Sequence, residues 1–468
     1  MPFSERGYAL MGETRKLASY LYSIDYSSLS SQAVDTAKKC IEDFIGVAIA
    51  GSAKTEAQIW KAYYKNKAAE QQASMFQPGF RRVSVEQAAA LNAVFGHVMD
   101  MDDVHNASIT HLGVITVPVA VALAQKLHKS GRDVIEAIVS GYEMGARVGE
   151  SINPSSYKRW HTTGVVGALA AGTAAAKVLN LSEEETLNCI GSAGTQAAGF
   201  WEFLSSASMS KVLHVANANL CGLRAAELAR LGFTGAPTIL EGERGLIRAL
   251  ASRFNLSSLT AGYGGELRIC QNSFKPYACC RHTHSAIYCI EKIIADNQIV
   301  PDDIVSLVDE TYGAAAETAD DANPENAYGA KFSLQFCIAA MLIFHELSDR
   351  IFSPENIDNP QVRRLMGRIT VKVEPRIDEE FHKEPARWPH SVTVILKDGR
   401  VIRERVDFPP GDPKNSFSWQ VEDRKFRQLT GDLLGSGGAE ALLSKLHIFE
   451  QIEDVNSLFQ NNEGAMHV

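Results

Sequence analysis

Gly164-Val165-Val166-Gly167-Ala168-Leu169-Ala170-Ala171-Gly172-Thr173-Ala174-Ala175-Ala176-Lys177-Val178-Leu179 is the passage from which the architecture can be read. Its Ala and Gly fall where a helix would meet other helices, and small residues there let helix axes come close together. On either side the same composition returns in Gln32 to Ala50, Val85 to Met99, Asp133 to Ser151 and Asn217 to Leu231, each predicted as a helix. The ends are marked too. Ser182 and Glu185 form a capping box, and Gly232 behind Arg230 and Leu231 is a C-terminal stop. From about Glu13 to Leu250 the chain therefore reads as helix after helix, with no repeat of fixed length.

Composition changes near Gly264. Beyond it stand short alternating segments: Leu267 to Gln271, Ile304 to Asp309, Ile369 to Glu374, Ser391 to Leu396 and Val401 to Val406. The last two flank Lys397-Asp398-Gly399-Arg400, whose Asp-Gly step signals a hairpin. Helices are predicted at Thr283 to Asp296 and Phe332 to His345, so this half is α+β. After Pro409-Pro410-Gly411-Asp412-Pro413 helix is predicted again from Val421 to Leu458. A second domain inserted between two portions of a helical one fits this order.

A chain of 468 residues exceeds what one compact core usually supports, which makes two domains the natural expectation. With 45% apolar and 22% charged residues it has the balance of an ordinary globular protein. The formal charge of −9 argues against general nucleic-acid binding, so any pull on an anionic ligand must come from local Lys, Arg and His. The eight cysteines are scattered and read as reduced thiols; adjacent Cys279 and Cys280 lack the CxxC spacing of a zinc or redox motif. The first sixteen residues hold no apolar core of signal-peptide length, and Val114 to Leu123 is too short to span a bilayer, so a cytoplasmic location without membrane contact is expected.

The most unusual stretch is His97-Val98-Met99-Asp100-Met101-Asp102-Asp103-Val104-His105, which crowds three carboxylates and two imidazoles into nine residues. Such a group suits a divalent metal, or carboxylates that orient histidines for proton transfer, or simply a solvated helix terminus. His111, just before the apolar helix that begins near Val114, has a usable acid/base position; a lone His there is more often a capping or packing residue. Arg159-Trp160-His161-Thr162-Thr163-Gly164 repeats the arrangement, and Thr capping does not account for His161. Lys211 enters a small-residue helix that looks buried, where it must meet an anion, either a substrate carboxylate or a structural Asp. Lys275, Arg281, His282 and His284 gather two cations and two imidazoles at the opening of a helix, a place for an anion.

No phosphate loop, dinucleotide fingerprint, HExxH or Gly-x-Ser-x-Gly elbow occurs. Gly262-Tyr263-Gly264-Gly265-Glu266 lacks the flanking strand and helix of a Rossmann turn and reads as a hinge. Proton transfer by His, Asp and Lys is the chemistry that remains.

At these residues the chain resembles the MmgE/PrpD family over about residues 10 to 455. The pieces are HVMDMDDVH (97–105), WHTTG (160–164), GTQAAGFWEF (194–203), SKVLHVANA (210–218), GFTGAPTILEGERG (232–245), KPYACCRHTHSAI (275–287) and AKFSLQF (330–336). The resemblance implies a mostly α protein, with a large all-helical domain over residues 1–265, an inserted smaller α+β lid domain over 266–410 and C-terminal helices over 411–468 that return to the first. It also implies a homodimer that needs no metal or organic cofactor and acts on a small anionic carboxylic acid. Members dehydrate 2-methylcitrate, decarboxylate cis-aconitate or epimerise iminodisuccinate, each moving a proton at a carbon beside a carboxylate. Their catalytic positions look like Asp100, His111, His161, Lys211 and His284, with Arg281, Lys275 and His282 as substrate-binding neighbours. Val104 stands where many members have Thr, and the WHTTG and WEF runs are closer to the decarboxylase and epimerase branches.

The resulting expectation is a cofactor-independent lyase, a dehydratase or decarboxylase, in which Lys211 and Arg281 hold carboxylates, the histidines handle protons and Asp100 orients one of them. An epimerase of a succinate-like dicarboxylate is the nearest rival. A metal-dependent hydrolase built on the Asp100 to His111 cluster, and a binding protein without catalysis, are the others.

Overall fold

A computed structural model describes residues 12–460, and the outermost parts of the two terminal segments, 1–11 and 461–468, lie outside the described residues. The chain is mostly α. Numbering helices of ten residues or more, α1 is Glu13–Ser23, α2 Ser31–Gly51, α3 Thr55–Tyr64, α4 Val85–His97, α5 Gly113–Leu127, α6 Gly131–Ile152, α7 Thr162–Val178, α8 Glu183–Gly194, α9 Ser210–Arg230, α10 His284–Asp296, α11 Leu334–Phe344 and α12 Trp419–His447. Ser182 and Glu185 make the reciprocal cap of α8, and Gly232, at φ 91°, follows the end of α9.

The opening passage forms α7, almost wholly buried between α6 and α9. Its glycines set the spacing. A Cβ on Gly222 of α9 would lie 2.4 Å from the Gly172 backbone nitrogen, and one on Gly167 would lie 2.8 Å from the Ala218 Cβ. α5 is sheathed by protein along its length and carries Pro118 inside it. Among the described residues no helix is long and apolar enough to cross a membrane.

The strands of the second half form one four-stranded sheet: β1 (Ile304–Thr311), β2 (Ile369–Val373), β3 (His390–Leu396) and β4 (Val401–Val406), in the order β2-β1-β3-β4. β1 runs parallel to β2 and antiparallel to β3, while β3 and β4 form the expected hairpin, with Gly399 at φ 86°. α10 covers β3 and β4, burying Val392, Val394 and Leu396.

Three expectations are corrected. Leu267 to Gln271 is not a strand; Arg268–Gln271 is a 3₁₀ turn leading to Asn272–Ser273, which pairs antiparallel with Val104–His105. α9 begins at Ser210 rather than Asn217, so that Lys211, buried in an ion pair with Asp100, lies in its first turn. The C-terminal helix is not continuous to Leu458. It breaks at Gly435 (φ 71°, ψ 157°) and is followed beyond His447 by 3₁₀ turns. His447 Nε2 lies 2.9 Å from Asp423 Oδ1, although a straight helix would part these positions by about 36 Å. Residues 419–447 are therefore a helical hairpin, and it packs on α2. All eight cysteines are buried and free.

The Gly172 and Gly222 crossing gives a direct test of the packing. Gly222→Ala should destabilise the chain by about 1–3 kcal/mol through overpacking, seen as a lower urea midpoint with an unchanged m-value.

Candidate active site

The loop between α4 and α5 is held by charges from distant parts of the chain. Three successive carbonyls each accept from a buried lysine: Met99 from Lys331 (2.6 Å), Asp100 from Lys275 (2.9 Å) and Met101 from Lys425 (3.0 Å). Asp100 itself is left-handed, at φ 54°. Asp103 caps α5 by accepting from the Gly113 N–H (3.1 Å), and its other oxygen accepts from the Tyr142 hydroxyl and Asn272 Nδ2. A Cβ on Gly113 would lie 2.3 Å from that Asp103 oxygen, so the close approach requires glycine.

Within this frame Asp100 Oδ1 accepts from both Lys211 (2.7 Å) and Lys275 (3.0 Å), whereas its buried Oδ2 has no partner. Burial alone would push this carboxyl up; Lys211, Lys275 and His111 outweigh it and hold it well below the usual range. Asp102 is buried too, with His97 Nδ1 at 2.8 Å and His111 Nδ1 at 3.2 Å, and these imidazoles likewise overcome the cost of burial. His111 Nδ1 donates to the Asp103 carbonyl (2.8 Å), leaving Nε2 as the nitrogen with a free lone pair.

A cavity opens beside these groups. Asp100, His111, His161, Lys211, Arg281 and His282 line it, together with an apolar and aromatic wall that includes Val104, Trp201 and Trp388. Its volume is about 20 Å³, measured as the space open to the centre of a water molecule. The floor comes from the α4–α5 loop and the starts of α7 and α9, and the roof from residues 280–282, Phe332 and Trp388.

Arg281 is buried. Its Nη1 donates to the Pro410 carbonyl (3.1 Å) and to His284 Nδ1 (3.2 Å), while Nε and Nη2 have no partner. Burial lowers its pKa to about 10, which leaves it charged at neutral pH. His282 stacks on Trp388 (4.2 Å between centroids) and hydrogen-bonds to the Tyr312 and Tyr157 hydroxyls at 2.6 and 3.3 Å.

Two of the expected residues are not brought to the cavity. Lys275 is fully buried behind Asp100, with a third acceptor at the Cys279 carbonyl (3.1 Å), so its three donors are used. His284 Nε2 donates to the same carbonyl (3.2 Å) and Nδ1 receives Arg281, so both ring nitrogens are engaged. Lys211 meets a structural Asp. That is the second of the two anions expected for it, and Lys275 shares the same aspartate oxygen.

Sequence reasoning passed over His214 and undervalued His97. His214 Nδ1 lies 3.0 Å from His161 Nδ1, and His161 Nε2 is buried without a partner on the cavity side. His214 also lines an open surface groove with Phe200 and Leu213, so the imidazole pair joins cavity to exterior. The signal was present, since Lys211 and His214 stand one helical turn apart. Burial, reinforced by His214 and Lys211, holds His161 well below its ordinary value. His97, Asp102 and His111 bring three ligand atoms within 4.8 Å of one another and are the group here that could hold a metal; Asp100 is taken up by its lysines instead.

The sequence profile of the MmgE/PrpD N-terminal domain matches residues 15–258, and that of the MmgE/PrpD C-terminal domain matches residues 277–447. The chain belongs to the MmgE/PrpD family. Among curated relatives, cis-aconitate decarboxylase of Homo sapiens is 25% identical over 95% of this chain and 93% of its own length. Cis-aconitate decarboxylase of Aspergillus terreus is 23% identical, covering 97% and 96%. The mitochondrial 2-methylcitrate dehydratase of Yarrowia lipolytica is 24% identical over 60% of this chain and 55% of its own length. This MmgE/PrpD chain is an enzyme of the lyase type.

The two lysines on Asp100 should separate by variant. Lys275→Met removes three hydrogen bonds where Lys211 makes one, leaves the Asp100 carbonyl without its lysine and Asp100 with Lys211 alone, and should cost about 3 kcal/mol. Lys211→Met, which leaves Asp100 its second lysine, should cost clearly less in urea unfolding while abolishing activity. Equal losses of stability would show that Lys211 is as structural as Lys275.

Acid should destabilise this fold. Burial lowers His97 and His214 to about 4 and His105 and His282 to about 3, and it also depresses His161 and His284. Unfolded imidazoles take up protons below about pH 6.5 that the folded ones refuse, so stability present above that pH is lost as it falls. Asp103, Glu42 and Glu422, raised by burial to about 7, 9 and 8, act in the opposite sense and outweigh the imidazoles near pH 7, and burial raises Asp43, Glu150, Glu227, Glu291 and Asp412 the same way. Urea midpoints should fall from pH 6 to pH 5, where the unfolded imidazoles are largely protonated, by on the order of 1.4 kcal/mol per pH unit for each net proton taken up; a rise over that interval would contradict the neutral-imidazole assignment.

Proposed function

We propose that the chain is a cofactor-independent lyase acting beside a carboxylate of a small di- or tricarboxylic acid, with decarboxylation of a cis-aconitate-like acid as the favoured form. The observation that carries the reading is Arg281, a buried guanidinium on the cavity wall with Nε and Nη2 unpartnered. A carboxylate accepting from both would satisfy the fork and its charge together. Lys211, whose only hydrogen bond is to Asp100, has further donors for a second carboxylate across the cavity. The decarboxylase relatives above match along nearly the whole chain and the dehydratase along little more than half, which supports the decarboxylase form.

In that form the C–C bond electrons stay on carbon as CO₂ departs, spread into a neighbouring carboxylate held by Arg281 and Lys211, and an imidazole returns a proton to carbon. In the dehydratase form the imidazole takes the proton from that carbon and hydroxide leaves with a second proton. His111 and His161 present Nε2 for either role. His161 can pass or receive a proton through Nδ1 to His214 and the outer groove. Asp100 then orients Lys211, and His284 orients Arg281. The proposal includes a homodimer and a lid built on the four-stranded sheet, supported by the exposed Ile59, Tyr63 and Leu213 and by the roof residues that come from the C-terminal half.

Turnover of a panel of citrate-like and succinate-like acids in D₂O should place deuterium on a carbon α or β to a carboxylate. His161→Gln should lower kcat by about 10²–10⁴-fold. His214→Phe should slow turnover in a way that added imidazole restores. An active substrate whose carbon-bound hydrogens never gain solvent label would defeat the reading.

A further inference from the structure

A second cluster of ligating side chains stands away from the cavity, where the C-terminal hairpin lies on α2. The geometry points to a structural divalent-cation site of the zinc class formed by Glu42, Asp423 and His447. His447 Nε2 lies 2.9 Å from Asp423 Oδ1 and 3.6 Å from Glu42 Oε2, and the three ligand atoms all fall within 4.8 Å of one another. Donors bound tetrahedrally at about 2.1 Å sit roughly 3.4 Å apart, so these separations bracket those of a common cation.

Glu42 supplies the independent observation. Its side chain is 1% exposed and neither carboxylate oxygen has a hydrogen-bond partner, yet one of them faces the imidazole. A buried carboxylate with no partner is costly. The neighbours do not relieve it: Lys425 is engaged by Asp43, and Arg427, 3.7 Å from Asp423, is held by Glu440. Glu422, also buried, has both oxygens unpartnered, so carboxylates outnumber cations here. His447 is 39% exposed and Asp423 14%, which gives an entry path and room for a water ligand. Two carboxylates and one imidazole suit zinc, cobalt or manganese better than magnesium or calcium. The three residues come from α2 and from both arms of the hairpin, so the cation would pin the reversal at Gly435 to the helical body.

The test uses the full chain, stripped with a chelator and dialysed against Zn²⁺ at neutral pH, with bound metal measured by mass spectrometry. One Zn²⁺ per chain is expected in the wild type and in Asp102→Asn, which disables the cavity trio. Binding should be lost in Glu42→Gln and in His447→Ala, the latter altering a half-exposed side chain whose removal leaves the core intact. Zn²⁺ should also raise the melting temperature of the wild type by a few degrees and leave that of both variants unmoved. Absence of stoichiometric zinc, zinc that survives both substitutions, or zinc lost only in Asp102→Asn would each overturn the assignment, and the first would leave a proton on Glu42 as the answer to its burial.

Discussion

The position of Asp100 between two lysines, in a loop whose successive carbonyls are held by three, is the constraint on which the molecule is organised. Lys331 precedes α11, Lys275 follows the 3₁₀ turn after the helical region and Lys425 lies in the C-terminal hairpin, so one short loop gathers the chain's distant parts. Buried ion pairs return little net stability, because desolvation cancels most of the attraction. Their effect here is geometric. Once Asp100 is fixed, Lys211 is fixed, and with it the start of α9 and the position of His214 one turn later.

The other wall of the cavity is built by a different device. Arg281 is positioned by a carbonyl and an imidazole rather than by a contacting carboxylate, so its charge remains available. His282 is clamped between Trp388 and two tyrosyl hydroxyls, and Trp388 stands at the entrance to β3, so the sheet reaches the site through one aromatic stack. Floor and roof thus differ in character, ionic below and aromatic above. Preorganised donors in such a water-poor space act on developing charge more strongly than the same groups in solvent.

The helices, the sheet and the hairpin at Asp398-Gly399 were legible because each rests on local pattern: periodicity, caps and turn chemistry. What was not legible were matters of partnership. Nothing in KPYACCRHTHSAI distinguishes Arg281, with free donors, from Lys275, whose donors are spent, because the acceptors that consume them lie at Asp100 and in the turn of Cys279. His284 and His161 look alike as isolated imidazoles, yet one has both nitrogens engaged and the other has one open to the cavity. The break at Gly435 was overlooked for a related reason, since GSGG at 435–438 interrupts a pattern whose periodicity resumes beyond it.

The cavity is small. A space of about 20 Å³ to water centres holds roughly one water molecule, and a dicarboxylic acid with its two carboxylates needs far more. Between floor and roof the site is therefore narrower than such an acid. The contacts between the two are uneven. The floor is tied by buried lysines and by Asp103 capping α5, while the roof meets it across the cavity mainly through side chains of residues 280–282, Phe332 and Trp388. Yet Lys275 and Lys331, from the roof's own half of the chain, are bound to the floor loop. Both halves of the chain thus share the ionic floor, whereas the stack of His282 on Trp388 belongs to the sheet's side alone.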